Sequence, residues 1–125
     1  MGIDAYQPNA VIQLTAPDNV SASGQGTGQD VRVYHGRALG ICNIKGGTGT
    51  SQTLDVKLQE SATVNGTYTD ISGATFTQAT SADVVNTCEV DLDAAKRFIR
   101  ARYILGGSTP AVDFGVTLVA PKQYN

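Results

Sequence analysis

Apolar and polar residues alternate with a period of two along several segments of the chain. The clearest is the segment Leu-Asp-Val-Lys-Leu-Gln-Glu-Ser at residues 54–61. This alternation is typical of a β-strand with one buried and one solvated face. Val31–His35 alternates in the same way, and Asn65-Gly66 is a turn signal between extended segments. The pattern therefore predicts strands joined by tight turns.

The same kind of pattern extends along most of the chain, and helix signals are nearly absent. One helical turn would fit Asp91–Arg97, but we expect a turn there that leads into the next strand. Seven or eight short strands, with turn signals roughly every ten residues, predict an all-β fold, a jelly-roll-like β-sandwich. The predicted strands lie near residues 10–14, 31–35, 37–44, 53–60, 67–71, 87–92, 97–105 and 112–119.

Length and Gly content suggest how the chain is organised. A chain of 125 residues suits one domain. We assign residues 1–29 to an irregular N-terminal arm (Met1–Pro8), a short strand and a Gly-rich loop, and residues 30–125 to the sandwich domain. The Gly-rich stretches at 24–28 and 46–49 do not fit a phosphate-binding loop and are interpreted as flexible connections.

The parity of the strands predicts which side chains are buried. Phe98 and Ile104 share the opposite face of their strand with Arg100 and Arg102. A face that is both apolar and charged is typical of an interface, although Phe98 and Ile104 could instead cover the edge of the domain. The predicted core consists of Leu54, Val56, Leu58, Val90, Leu92, Ile99, Ala101, Tyr103, Leu105, Phe114, Val116 and Leu118.

Charge and aromatic content argue against a nucleic-acid partner. The formal net charge is −2, and aromatic residues make up only 6% of the chain. There is no excess of cations to displace counterions and no stacking platform. Four cations cluster at Lys96, Arg97, Arg100 and Arg102. Two interpretations stay open: these cations bind an acidic patch on a protein partner, or they form ordinary cross-strand ion pairs.

The residues that usually carry reaction chemistry are few and scattered. His35, the one histidine, is expected to end a strand at the surface. Cys42 and Cys88 are separated in sequence and are interpreted as buried free thiols, or as a disulfide if their strands are neighbours. Asp91 and Asp93 are expected on a solvated acidic edge, paired with Lys96 or Arg97. We therefore expect no enzyme, no metal site and no cofactor.

The N-terminal residues lack the basic and apolar regions of a secretory signal. The chain also has no apolar run of about 18 residues, the length needed to span a bilayer. We therefore expect no membrane partner.

One long segment resembles a family of virion proteins. Residues 54–119 contain LDVKLQES, GTYTDISGATFTQ, VDLDAAKRFIRARY and a Gly-Ser-Thr-Pro turn. This combination resembles small structural proteins of tailed bacteriophages, in particular capsid decoration (cement) proteins.

The resemblance implies a protein on the capsid surface of the virion, assembled in the host cytoplasm. Its partners would be the major capsid protein and further copies of itself, as a homotrimer or a dimer. Met1–Pro8 and Pro17–Asp30 are the expected shell contacts. The expected interface residues are Tyr6, Phe98, Arg100, Arg102 and Ile104.

The strand pair formed by LQES and GTYTDI also resembles sandwich domains that bind sugars. The alternative function is therefore a receptor- or glycan-binding module of a spike or tail. Sugar sites usually present exposed aromatic rings, and this chain has no Trp and 5 Tyr. Tyr6, Tyr68 and Tyr124 are the candidate sugar-binding rings.

Overall fold

The computed structural model describes residues 9–80 and 82–121, and it confirms an all-β fold. Its strands belong to one seven-stranded antiparallel sheet that folds into a β-sandwich. The described residues contain no helix, and a turn follows Asp91 as expected. The strands are β1 (Asn9–Val20), β2 (Gly24–Gln25), β3 (Gln29–Asp30), β4 (Arg37–Ser61), β5 (Thr69–Thr75), β6 (Val84–Asp91) and β7 (Phe98–Pro121).

The long strands β4 and β7 pair along nearly their whole length. Their ladder runs from Leu39 opposite Val119 to Ser61 opposite Phe98. A straight strand would place Tyr103 and Phe114, both on β7, about 36 Å apart. Their rings instead meet edge to face with centroids 5.1 Å apart. The β4–β7 ribbon therefore folds back on itself, and its two halves face each other.

Each half of the ribbon is the centre of one layer. In the first layer, residues 37–45 of β4 and 113–121 of β7 are flanked by β6 and β1, in the order β1-β7-β4-β6. In the second layer, residues 53–61 and 98–106 are flanked by β5 on one side and by the short β2 and β3 on the other. Antiparallel pairing along both layers satisfies the backbone donors and acceptors of these strands.

The described part of residues 1–29 pairs with the same sheet. β1 lies along β7, with Asn9 opposite Pro121. β2 pairs with β7 further back along that strand, with Gly24 opposite Tyr103. The division predicted after residue 29 falls within β3 (Gln29–Asp30) and stays a prediction. Met1–Pro8, the predicted arm, lies outside the described residues.

The core fills the space between the two layers, as the strand parity predicted. Burying each of its large side chains contributes roughly 1.5–3 kcal/mol. Phe76, which follows β5, reaches across to Gly40 of the first layer, where a Cβ would lie 3.1 Å from its Cζ atom. Tyr103 and Leu105 are only partly buried against the core. The predicted core residues that are buried are Leu54, Val56, Leu58, Val90, Leu92, Ile99, Ala101, Phe114, Val116 and Leu118.

The fold-back of the ribbon occurs where the sequence predicted a flexible Gly-rich connection and a Gly-Ser-Thr-Pro turn. Gly46–Thr50 and the Gly-Ser-Thr-Pro motif lie within β4 and β7 and face each other, with three register shifts between Lys45 and Thr53. The backbone there has positive φ at Gly49 (120°), Ser51 (53°), Gly107 (96°) and Thr109 (44°). These residues bend a paired ribbon instead of reversing a single chain, so predicted strands 37–44 and 53–60 are one strand, and so are 97–105 and 112–119.

Candidate functional site

The described interface candidates lie on the outer face of the second layer. Arg100, Arg102 and Ile104 of β7 stand opposite Gln59, Lys57 and Asp55 of β4. We call this surface the polar face; it consists of Asp55, Lys57, Gln59, Arg100, Arg102 and Ile104. Phe98, at the start of β7, is half-buried, and Ile104 is exposed. Tyr6, the remaining candidate, lies outside the described residues.

Arg100 is held within the chain by neutral groups. Its Nε donates a hydrogen bond to Gln59 Oε1 at 2.9 Å. Its guanidinium carbon lies 4.1 Å from the centroid of the Tyr68 ring, a cation–π contact. These two contacts therefore hold the Arg100 side chain in place within the chain itself.

The same network continues to an acid. Gln59 Nε2 donates to Asp70 Oδ1, and Lys57 Nζ donates to Asp70 Oδ2, each at 2.9 Å. These hydrogen bonds, from Gln59 first and Lys57 second, lower the pKa of Asp70. Because the acid sits between an amide and an ammonium group, it stays ionised and holds β5 to β4.

The other cations of the predicted cluster have different partners. Arg102 Nη1 donates to Gln25 Oε1 at 2.7 Å. Arg97 donates from Nε and Nη2 to Asp30 Oδ2 at 3.1 and 2.9 Å, and it also covers the Phe98 ring. Of the four clustered cations, Arg97 alone has a carboxylate within 4.0 Å among residues 9–80 and 82–121. Ordinary ion pairs therefore account for one cation of the cluster only.

The outer face of the first layer has the opposite character. Val11, Val119 and Leu39 stand side by side on β1, β7 and β4. Ile41 follows Leu39 on β4, and Val85 lies on the neighbouring β6. We call this surface the apolar face; it consists of Val11, Leu39, Ile41, Val85 and Val119. Val11, Leu39 and Val85 are exposed, and Ile41 and Val119 are half-buried. Contiguous apolar side chains that are exposed on one sheet face mark a contact surface.

Sequence reasoning missed the apolar face, although a signal was present. Residues 38–42 read Ala-Leu-Gly-Ile-Cys, and residues 118–120 read Leu-Val-Ala, without polar alternation. Unbroken apolar runs are typical of strands that are covered on both faces. Only one face of these strands packs against the core in the described structure.

An open cleft of about 460 Å³ lies at one end of the apolar face. Pro17 forms one wall, because β1 bulges there and the Pro17 ring packs over Gly115. Asn19 Nδ2 donates to Asp113 Oδ1 at 2.7 Å across the cleft. The polar lining residues are Asp18, Asn19, Asn43, Lys45, Asp113 and Thr117.

The residues considered for reaction chemistry do not come together. His35 is exposed, and its Nδ1 lies 3.4 Å from Asp93 Oδ1. Asp93 thus pairs with His35 rather than with Lys96 or Arg97. Arg97 forms its ion pair with Asp30 instead. Within the described ranges, no group of three or more His, Cys, Asp or Glu side chains could hold a metal ion. These same residues include no helix long and apolar enough to cross a membrane.

Cys42 and Cys88 lie on neighbouring strands, and both are free thiols. Burial raises the pKa of Cys42 to about 12 and that of Cys88 to about 11. Both thiols are therefore protonated at neutral pH and act as small apolar fillers of the first layer.

No family model matches this chain, and no curated protein matches it either. Solved structures are similar to it, and those with a TM-score above 0.5 share its fold. The SPBc2 prophage-derived protein YomS superimposes with a TM-score of 0.51 at 14% identity, covering 90% of this chain and 93% of that one. A Bacillus endospore appendage protein gives a TM-score of 0.44 at 13% identity, covering 94% of this chain and 92% of that one.

A further likeness is to part of a larger protein. The CBM22-1–GH10 modules of a Clostridium thermocellum endo-1,4-β-D-xylanase, solved with xylohexaose, give a TM-score of 0.55 at 6% identity. That superposition covers 100% of this chain but 26% of the xylanase chain, so this chain spans about a quarter of it. At such identities the likeness shows a shared fold alone.

Proposed function

We propose that this chain is a capsid decoration protein of a tailed bacteriophage. It binds the outer surface of the head and stabilises the contacts between neighbouring major capsid subunits. It acts by holding other proteins together and catalyses no reaction.

The observation that carries the proposal is the apolar face, a sheet surface suited to contact with protein. Val11 is 72% exposed and Val85 is 58% exposed there, although both are large apolar side chains. The resemblance of residues 54–119 to phage virion proteins supports a place on the particle. The fold shared with a prophage-derived protein agrees with that origin.

Stabilisation of the shell follows from touching several subunits at once. Packaged DNA pushes the shell subunits apart, and each contact made by a single decoration molecule is modest. Copies that associate with one another bind their capsid subunits at a high effective concentration, so separation of the subunits requires several contacts to break together. Our candidates for shell contact are Met1–Pro8 and the segment Pro17–Asp30, in which β2 and β3 pair with β7.

Removal of the protein from the particle tests the proposal. Heads that lack this polypeptide should release DNA at a lower temperature and after milder osmotic shock than wild-type heads. Purified protein added back should bind in many copies per head and restore the tolerance. Wild-type particles that do not contain the polypeptide, or stripped heads that are equally tolerant, would contradict the proposal.

The cleft favours a second candidate function, the binding of a glycan. Its amide, ammonium and carboxylate groups match the hydroxyl groups of a sugar. A structural neighbour was solved with xylohexaose, although it shares only 6% of its sequence with this chain. Against this function, the aromatic side chain in the lining, Phe114, is only 2% exposed and offers no stacking surface.

A glycan array separates the two functions. Binding that is lost in Asn43→Ala and kept in Asn86→Ala, an amide outside the cleft, would favour the glycan-binding module. No binding to any glycan would remove that candidate and leave decoration.

A further inference from the structure

We propose that the apolar face is the surface through which two copies of this chain associate. The inference rests on the self-association included in the proposed function, and it names the surface and the partner. It assigns the contact to the first layer, and not to the polar face that carries Arg100 and Arg102.

The strand register makes the apolar face continuous. Val11, Val119, Leu39 and Glu89 form one row across four strands. Gln13, Thr117, Ile41 and Thr87 form the next row. Side chains that are directly opposite on neighbouring strands are in contact range. One patch therefore contains Val11, Val119, Leu39 and Ile41 together with the polar side chains of Gln13, Thr117 and Thr87. Val85, opposite Asn43 in the next row, adjoins this patch.

The charge distribution favours a second copy as the partner. In these two rows the single charged residue is Glu89, and its Oε1 lies 3.2 Å from Arg37 Nη1. The centre of an interface is typically depleted of charged residues, and this face meets that condition. The other charged residues lie at the margins of this face, where Arg37 stands opposite Asp91 and, at the far end of the layer, Lys45 stands opposite Asp113. A neutral centre with charges of both signs at its margins suits a second copy of the same face.

The polar face has the opposite property. It presents Lys57, Arg100 and Arg102, and the last two have no carboxylate within 4.0 Å in the described chain. Two copies joined through this surface would bring like charges together, which costs free energy. Its in-chain hydrogen bonds would also have to be desolvated. The polar face is therefore the poorer surface for self-association.

The outer face of the whole first layer, with the apolar face at its centre, is large enough for a dimer. Strands about 4.8 Å apart, with roughly nine residues at about 3.3 Å each, give the four-stranded layer a flat area of about 570 Å². Two copies would bury about 1,100 Å² together, above the ~1,000 Å² expected of a specific interface. Two sheets packed face to face lie about 10 Å apart, and a two-fold axis closes the contact.

A matched pair of substitutions tests the inference on the purified full chain. Leu39 on the apolar face is 41% exposed, and Ile104 on the polar face is 39% exposed. In sedimentation-velocity runs over a range of concentrations, we expect a dimer for the wild type and for Ile104→Glu. Leu39→Glu should weaken the dimer by at least about a hundredfold, because a carboxylate would be buried without a partner.

A second pair of substitutions tests the inference independently, in case the Leu39→Glu variant misfolds. Val85 on β6 and Val33 outside the sheet are 58% and 62% exposed. Val85→Glu should dissociate the dimer, and Val33→Glu should not, while both variants keep the far-UV circular dichroism spectrum of the wild type. A wild type that is monomeric at all concentrations, or dissociation by Ile104→Glu and not by Leu39→Glu, would overturn the inference.

The remaining outcomes are also decisive. If a chain that lacks Met1–Pro8 dimerises and the full chain does not, the N-terminal arm occupies the face and the inference is wrong. A monomer that still decorates heads would overturn this inference and leave the decoration role intact. A dimer that fails to bind heads would contradict the decoration role and leave this inference intact.

Discussion

At the scale of single residues, the two thiols illustrate how burial controls reactivity. Cys42 is buried completely, and Cys88 is partly buried on the adjacent strand. The register places Cys88 opposite Gly40, one pair away from Cys42 opposite Asn86. The condition for a disulfide, neighbouring strands, is thus met, yet both thiols are free. The prediction of free thiols that serve as apolar fillers agrees with the structure.

We expect both thiols to resist alkylation in the folded protein. The thiolate is the nucleophile, and pKa values of about 12 and 11 leave very little of it at pH 8. The rate with iodoacetamide should therefore keep rising about tenfold per pH unit beyond pH 9, as long as the fold persists. Protein unfolded in guanidinium is the control and should react rapidly at pH 8. Equal rates for folded and unfolded protein would show that the thiols are accessible and ionised.

At the scale of the elements, the bend of the β4–β7 ribbon joins the two layers. The bend depends on backbone conformations that glycine adopts readily, and Gly49 and Gly107 supply two of them. At Gly107 a Cβ would lie 2.7 Å from the carbonyl oxygens of Thr50 and Ser51. The backbones of the two strands thus approach closely where the ribbon turns over.

Substitution of Gly107 should therefore cost more than the same change at a glycine in open space. Gly73 has a similar φ of 80°, but nothing lies within 4 Å of its hypothetical Cβ. Gly73→Ala should lower the free energy of unfolding by about 1–2 kcal/mol, because alanine disfavours the left-handed backbone conformation. Gly107→Ala should cost at least about 1 kcal/mol more, because its methyl group collides with backbone. Urea denaturation of both variants gives the comparison, and equal losses would argue against the close approach.

The strands and the core could be predicted from local patterns, but the path of the ribbon could not. Alternation alone placed Leu54, Val56 and Leu58 in the core, and all are buried. Gly46–Thr50 has the composition of a turn, and nothing local shows that it pairs with residues 106–111. Bending two strands together is a long-range property, which is why two predicted turns became one bend.

The polar face shows a similar limit for the candidate site. Parity correctly placed Arg100, Arg102 and Ile104 on one outer face. It could not reveal that Gln59 and Gln25 accept hydrogen bonds from the two guanidinium groups, because those contacts join distant segments. The unbroken apolar run at residues 38–42 could have indicated the apolar face. Its exposure could not be predicted, because that requires knowing which face of the strands meets the core.

At the scale of the whole molecule, the sandwich has two unlike outer surfaces. The apolar face is neutral and lacks a cover in the described chain, whereas the polar face is tied together by hydrogen bonds. A molecule of this kind can associate through one surface and keep the other solvated. This division fits a protein whose proposed task is to connect its neighbours.

Deletion of Met1–Pro8 should weaken binding to the head without unfolding the domain. The described core begins with Ala10, so the melting temperature should stay within a few degrees of the wild type. Head occupancy, measured by sedimentation of particles with bound protein, should fall. A chain that lacks residues 122–125 is the control truncation and should bind normally. Unchanged occupancy after the N-terminal deletion would reject a role for the arm.

The pairing of Asn9 with Pro121 has a practical consequence for engineering. Since the attachment points of both termini sit at one corner of the first layer, a short linker could join them. New ends could then be opened in the exposed segment at residues 62–67, giving a circular permutant that keeps every ladder. Cargo displayed from such a permutant would leave the domain beside the second layer, away from the corner where Val11 and Val119 lie.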